Sequence, residues 1–226
     1  QNGGDGFGFI TLNPYAVDLL NQDFNDKRKN NYYIFDYLYN DEKTLPAGKK
    51  LGDHLDLYEN KAQDDDFFMY FKRQSPGVLK FFDSNIDPTD RMHFKNIMVY
   101  RLAETYLIGA EAHLESGNSS KALEYLNIVR SRAGVAPQLN ATIKNIFEER
   151  ARELAFEGQR WFSLKRKGLL FDYLMDHMNS PLLNEYYSRN HVNPLEIYKP
   201  HMINLPIPQG VIDLLGAGYP QNEGYN

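Results

Sequence analysis

From Arg101 to Ala133 the apolar positions recur with a helical period. Leu102, Tyr106, Leu107, Ala110 and Leu114 share one stripe, and Ala122, Leu126, Val129 and Ala133 share another, so two amphipathic helices are predicted. Gly109, Ala110 and Ala112 are small enough to let a neighbouring helix come close. Gly117-Asn118 ends the first helix, Ser119 or Ser120 is a suitable N-cap for a second running from Lys121 to Ala133, and Gly134 stops it. Thr142 opens a third helix through Ile146, Phe147, Arg150, Leu154 and Glu157, which Gly158 closes. The first two make an antiparallel hairpin about the size of one tetratricopeptide repeat, and a single convincing copy is present.

The first hundred residues follow a different pattern. In Tyr32-Tyr33-Ile34-Phe35-Asp36-Tyr37-Leu38-Tyr39, alternation with period two puts Tyr33, Phe35, Tyr37 and Tyr39 on one face of a predicted strand. A second aromatic run, Phe67-Phe68-Met69-Tyr70-Phe71, follows Asp64-Asp65-Asp66. From Asn179 onward, Pro181, Pro194, Pro200, Pro206, Pro208 and Pro220 interrupt regular structure, because proline removes a donor. The predicted organisation is a loop-rich aromatic part over 1–100, a helical scaffold over 101–178 and an irregular tail over 179–226. The predicted class is mainly α: one tetratricopeptide-like hairpin and further helices, beside an irregular part with short strands.

Composition narrows the functions. The 226 residues carry 25 Lys and Arg against 30 Asp and Glu, a net charge of −5, which argues against binding the nucleic-acid backbone. No run of 18 apolar residues exists to span a bilayer. The chain has no cysteine, which removes disulfides, thiolate nucleophiles and cysteine-based zinc sites together. It opens Gln1-Asn2-Gly3-Gly4 without Met or a secretory signal, so its beginning is expected to lie elsewhere.

Candidate chemistry is sparse. Glu149, Glu153 and Glu157 fall at i, i+4 and i+8, which would align three carboxylates on one helix face. Arg150, Arg152 and Arg160 interleave with them, and Arg101, Arg130 and Arg132 lie on the neighbouring helices, so pairing between helices is the structural expectation. A paired carboxylate has a lowered pKa, which is wrong for a general acid. The six histidines form no zinc-binding spacing. Asp83-x-Asn85-x-Asp87 begins like a calcium loop, but Pro88 and Phe94 occupy the positions that need Gly and Glu. No phosphate-binding glycine loop or serine elbow is present, and no metal or cofactor is expected. Trp161 follows the third helix and is expected in the core. Aromatic rings can stack on the apolar faces of sugars, and on that ground Tyr37, Tyr39, Phe68 and Tyr70 are candidate ligand contacts.

Three segments, taken in order, resemble the SusD/RagB family of outer-membrane nutrient-binding lipoproteins. The first is Arg101-Leu102-Ala103-Glu104-x-Tyr106-Leu107-x-x-Ala110-Glu111-Ala112, continuing through Leu126, Val129, Arg130 and Arg132 to Gly134. The second is Glu149-Arg150-x-x-Glu153-Leu154-x-Phe156-Glu157-Gly158-x-Arg160-Trp161-Phe162. The third is Pro206-Ile207-Pro208 through Gln221-Asn222-x-Gly224-Tyr225. Asp26-Lys27-Arg28 matches more weakly. Ser163 stands where the family commonly has Asp, and Glu223 replaces its usual Pro.

The resemblance implies a non-catalytic protein on the extracellular face of the outer membrane, lipid-anchored in its full-length form. It further implies an oligosaccharide ligand, or a peptide, and a SusC-like TonB-dependent transporter as partner. Residues 1–226 would be the C-terminal region of such a protein, without its N-terminal repeats. A protein-interaction module is the alternative reading, and a glycoside hydrolase a remoter one. The motif residues Arg101, Glu104, Glu111, Arg130, Arg132, Glu149, Arg150, Glu153, Glu157, Arg160 and Trp161 are expected to build scaffold rather than touch ligand.

Overall fold

A computed structural model describes residues 12–35, 37–55, 76–83, 96–178, 194–216 and 218–225. The chain is mainly helical and divides into two compact units, Gln1–Gly158 and Gln159–Asn226.

In the first unit, Asn13 accepts the Ala16 amide at 3.0 Å and Pro14 occupies the first turn of α1 (Pro14–Asn21), two devices that fix a helix start. Asp26 caps α2 (Lys27–Tyr32) in the same way. Two short ladders follow. Strand β1 (Tyr33–Ile34) runs antiparallel to β4 (Gly77–Val78), with Tyr33 opposite Val78, and β2 (Tyr37–Leu38) runs antiparallel to β3 (His54–Leu55), with Tyr37 opposite Leu55. The single strand predicted over Tyr32–Tyr39 is therefore corrected: Tyr32 ends a helix, and β1 and β2 belong to separate sheets. Their partners come from loop-like sequence with no periodic signal.

Helices α3 (Leu102–Glu115), α4 (Ser119–Ala133) and α5 (Ile143–Glu153) form the scaffold. Its buried apolar residues are Leu107 and Ala110 on α3, Ala122, Leu126, Val129 and Ala133 on α4, and Ile146 and Phe147 on α5. Gly109 brings α3 against α4, since a Cβ there would stand 2.7 Å from the Tyr125 ring. Tyr106 and His113 meet the same ring edge-on at 5.4 and 5.2 Å.

Three expectations need correction. Leu102 is 68% exposed, because at 3.6 residues per turn it lies roughly 140° around α3 from Leu107. The cap of α4 is Asn118, whose side chain accepts the Lys121 amide, rather than Ser119 or Ser120. Helix α5 begins at its expected Thr142 cap but ends at Glu153, one turn early. There Phe156 takes a left-handed conformation (φ 67°) and turns its ring onto Tyr33, at a centroid separation of 6.3 Å. Both rings belong to a cluster around Leu12 and Leu20 that joins α1, β1 and β4.

The second unit contains α6 (Arg160–Arg166), α7 (Leu170–Met178), α8 (Pro194–Ile197), a 3₁₀ turn over Pro200–Ile203 and α9 (Gln209–Leu215). Leu164 and Leu170 are buried, while Trp161 is half-buried and not the core residue expected. Ser163 donates to the Gln159 carbonyl at 2.9 Å. The tail holds more regular structure than its prolines suggest. Gln221 closes it by accepting the Ile207 amide at 2.7 Å and donating to the Ile207 carbonyl at 2.9 Å. Asn222 donates to the Leu205 carbonyl at 2.7 Å, and Tyr225 meets His201 edge-on at 5.0 Å.

Candidate functional site

Helix α5 aims Glu149 and Glu153 into the first unit, where both are fully buried. Charge taken out of water is tolerated only with close, well-oriented partners. Glu149 receives Arg28 at 2.5 Å, Arg130 at 2.7 Å and Arg152 at 3.2 Å. Glu153 receives Arg28 at 3.2 Å together with Arg101 and Arg132. Glu157 has left the helix yet still meets Arg101 and Lys80, each at 2.7 Å. Arg150 approaches Glu104 of α3 at 3.6 Å, and Glu111 is buried on the same helix.

Arg28 organises this network. It grips Asp26 through two parallel bonds of 2.8 and 2.7 Å, the fork geometry that only a guanidinium provides. Arg152 ties α5 to α1 by donating to the Leu19 carbonyl at 3.0 Å. The end of α5 is capped by cations. Lys80 Nζ donates to the carbonyls of Glu153 (2.7 Å) and Ala155 (3.0 Å), and Arg101 Nη2 to that of Glu153 (2.5 Å). Positive charge there satisfies orphan carbonyls and opposes the helix dipole.

Burial by itself would raise the Glu153 carboxyl, but the Arg101 hydrogen bond and the charges of Arg101, Arg132 and Arg28 hold it below the ordinary value. Burial pushes the Lys80 ammonium below the usual lysine range, against the pull of Glu157. Kept ionised among three guanidinium groups, Glu153 binds helices together and is unsuited to donating a proton.

Of the four aromatic candidates, Tyr37 and Tyr39 lie among the described residues. Tyr37 on β2 is half-buried, with its hydroxyl standing over Gly77 of β4. Burial raises the Tyr37 pKa, and the Gly77 backbone, hydrogen-bonded to the hydroxyl, opposes the shift. Tyr39 is half-buried two residues on, where its amide donates to Asp53 at 3.0 Å. Tyr33 and Phe35, assigned to the same strand face in sequence, pack edge-on against each other at 6.1 Å. Phe68 and Tyr70 lie outside the described residues, as does all of Asp83-x-Asn85-x-Asp87 except Asp83. Arg160 belongs to the second unit, with its guanidinium 5.0 Å from the Tyr173 ring. Sequence reasoning missed Lys80 and underweighted Arg28. The signal for the latter was the weaker family match at Asp26-Lys27-Arg28. Phe81 and Phe82, each 38% exposed beside β4, also went unremarked.

A model of the SusD family matches residues 4–225, almost the whole chain. The chain belongs to the SusD family. Among curated SusD relatives, SusD-like protein P25 of Formosa agariphila is 31% identical over 153 residues, covering 63% of this chain and 27% of the relative. SusD-like protein P2 of the same organism is 34% identical over 146 residues, covering 58% and 26%. Among solved structures, the surface glycan-binding protein A from Bacteroides thetaiotaomicron aligns with 98% of this chain and 43% of its own, at a TM-score of 0.62 and 25% identity. A SusD superfamily protein from Bacteroides vulgatus shares the fold over 95% of this chain and 44% of its own, at a TM-score of 0.61 and 21% identity. This SusD chain thus spans about a quarter of the length of the curated relatives it matches and under half of the solved structures.

Proposed function

We propose that this chain forms part of a non-catalytic surface protein that binds oligosaccharides and delivers them to a SusC-like TonB-dependent transporter. In this reading the whole protein is lipid-anchored on the outer face of the outer membrane. The observation that carries the proposal is the alignment of 98% of the chain with a surface glycan-binding protein, within the SusD family. The buried carboxylates of Glu149 and Glu153 on α5, each held by three guanidinium groups, support binding without turnover. Tyr37 and Tyr39 are proposed ligand contacts. Both rings are half-buried, so packing holds them still while part of each remains open to a sugar face.

Calorimetric titration with maltoheptaose, cellohexaose and laminarihexaose tests the reading. Saturable binding of at least one of them is expected, at least tenfold weaker in the Tyr37→Ala, Tyr39→Ala double variant, with no release of reducing ends. Release of reducing ends that Glu153→Gln abolishes would overturn the non-catalytic assignment. Failure of all three to bind would overturn the glycan assignment.

A further inference from the structure

The β1–β4 ladder is two residues long on each strand, too short to hold its own position. It is fastened to α5 at both ends by buried cations. Arg28 enters one turn before β1 and reaches Glu149 and Glu153. Lys80 leaves two residues after β4 and reaches the Glu153 and Ala155 carbonyls and the Glu157 carboxylate, with a side chain only 3% exposed. Its ammonium also lies 4.8 Å from the centroid of the Tyr32 ring, and the Leu79 amide donates to the Tyr32 carbonyl at 2.7 Å, extending the ladder toward Lys80. At the other end of β4 is Gly77, where a Cβ would stand 2.8 Å from the Tyr37 hydroxyl. Between the end of α5 and the Tyr37 ring there are thus three rigid steps: an ammonium in a ring of acceptors, a two-residue strand, and a glycine contact without slack.

We infer that Lys80 is a positioning residue for Tyr37, fixing the height of β4 so that Gly77 sets where the Tyr37 ring stands, without itself meeting a ligand. The functional weight of this inference rests on Tyr37 being a ligand contact, but the positioning itself is measurable without any ligand.

The test places 3-fluorotyrosine at position 37 and, separately, at position 125 in the α3–α4 hairpin as a control, and records fluorine spectra of the chain. In Lys80→Met the position 37 resonance should shift or broaden while the position 125 resonance holds, and Lys80→Arg should restore much of the original line. Gly77→Ala, which leaves every ion pair in place, should move the same resonance. An unchanged position 37 line in Gly77→Ala, or equal changes at both positions in Lys80→Met, would overturn the inference. Titration with the oligosaccharides above separates the two claims. Loss of affinity in Tyr37→Ala but not in Lys80→Met counts against positioning. Unchanged affinity in Tyr37→Ala removes Tyr37 from the binding surface and leaves the fluorine result standing.

Discussion

Arg28 Nη1 meets Glu149 Oε1 at 2.5 Å across 121 residues of sequence. Both side chains are almost completely removed from water, and between them they join the irregular part of the first unit to its helical scaffold. The pair therefore bears on folding as a whole rather than on one local contact.

Removing one member should show this. Arg28→Ala leaves Asp26 and Glu149 buried with fewer partners, a change that costs about 3–5 kcal/mol in buried pairs. Urea unfolding should register a fall of that order. Arg28→Lys should recover part of it, because a lysine restores the charge without the fork that holds Asp26. Equal stability of Arg28→Ala and the parent chain would contradict the network.

Acid should act through Glu153. Its folded pKa lies below the value of 4.5 for a free glutamate, so the unfolded chain binds its proton first. The stabilisation is present above about pH 4.5 and is lost as pH falls through the folded value. Thermal unfolding between pH 3 and pH 7 should show stability dropping on the acid side. Glu153→Gln, already lacking the charge, should show a lower plateau and a shallower fall. Parallel curves for the two proteins would assign the acid response to other groups.

The α3–α4 contact makes a separate prediction. Gly109→Ala pushes a methyl into the Tyr125 ring, and overpacking of this kind costs about 1–3 kcal/mol. The double variant Gly109→Ala, Tyr125→Leu should lose less than the sum of the two single changes. Strict additivity would mean the two positions do not meet.

In the second unit, Gln221→Ala deletes both bonds to Ile207. At about 1 kcal/mol for each hydrogen bond, about 2 kcal/mol for the two, local opening of the tail should become roughly thirty times more frequent. Hydrogen exchange at the Ile207 amide should report that rise while Leu126, in the first unit, stays protected.

How much of this was legible in sequence depends on range. The α3–α4 hairpin could be read because Leu107, Ala110, Leu126 and Val129 repeat with the helical period and Gly134 supplies its own stop with φ 78°. Glu149 and Arg130 could be matched because they lie 19 residues apart on adjoining helices. Lys80 could not, since nothing near it in sequence marks a lysine that reaches Glu157 across 77 residues. The early end of α5 was hidden for a related reason. Phe156 turns left-handed to reach Tyr33, a partner more than a hundred positions earlier, and propensity carries no trace of that. The break in the aromatic strand follows from β3 and β4, whose short pairings carry no pattern of their own.

The way α5 receives the irregular part has a consequence for how the protein could change over time. The stretch between Arg28 and Lys80 plugs into the scaffold through two charged prongs, one on entry and one on exit. A replacement stretch of other length and other rings would seat in the same sockets if it kept those prongs. Under the ligand role proposed for Tyr37 and Tyr39, such an exchange would rewrite cargo preference like a new cartridge, with the frame beneath left as it is.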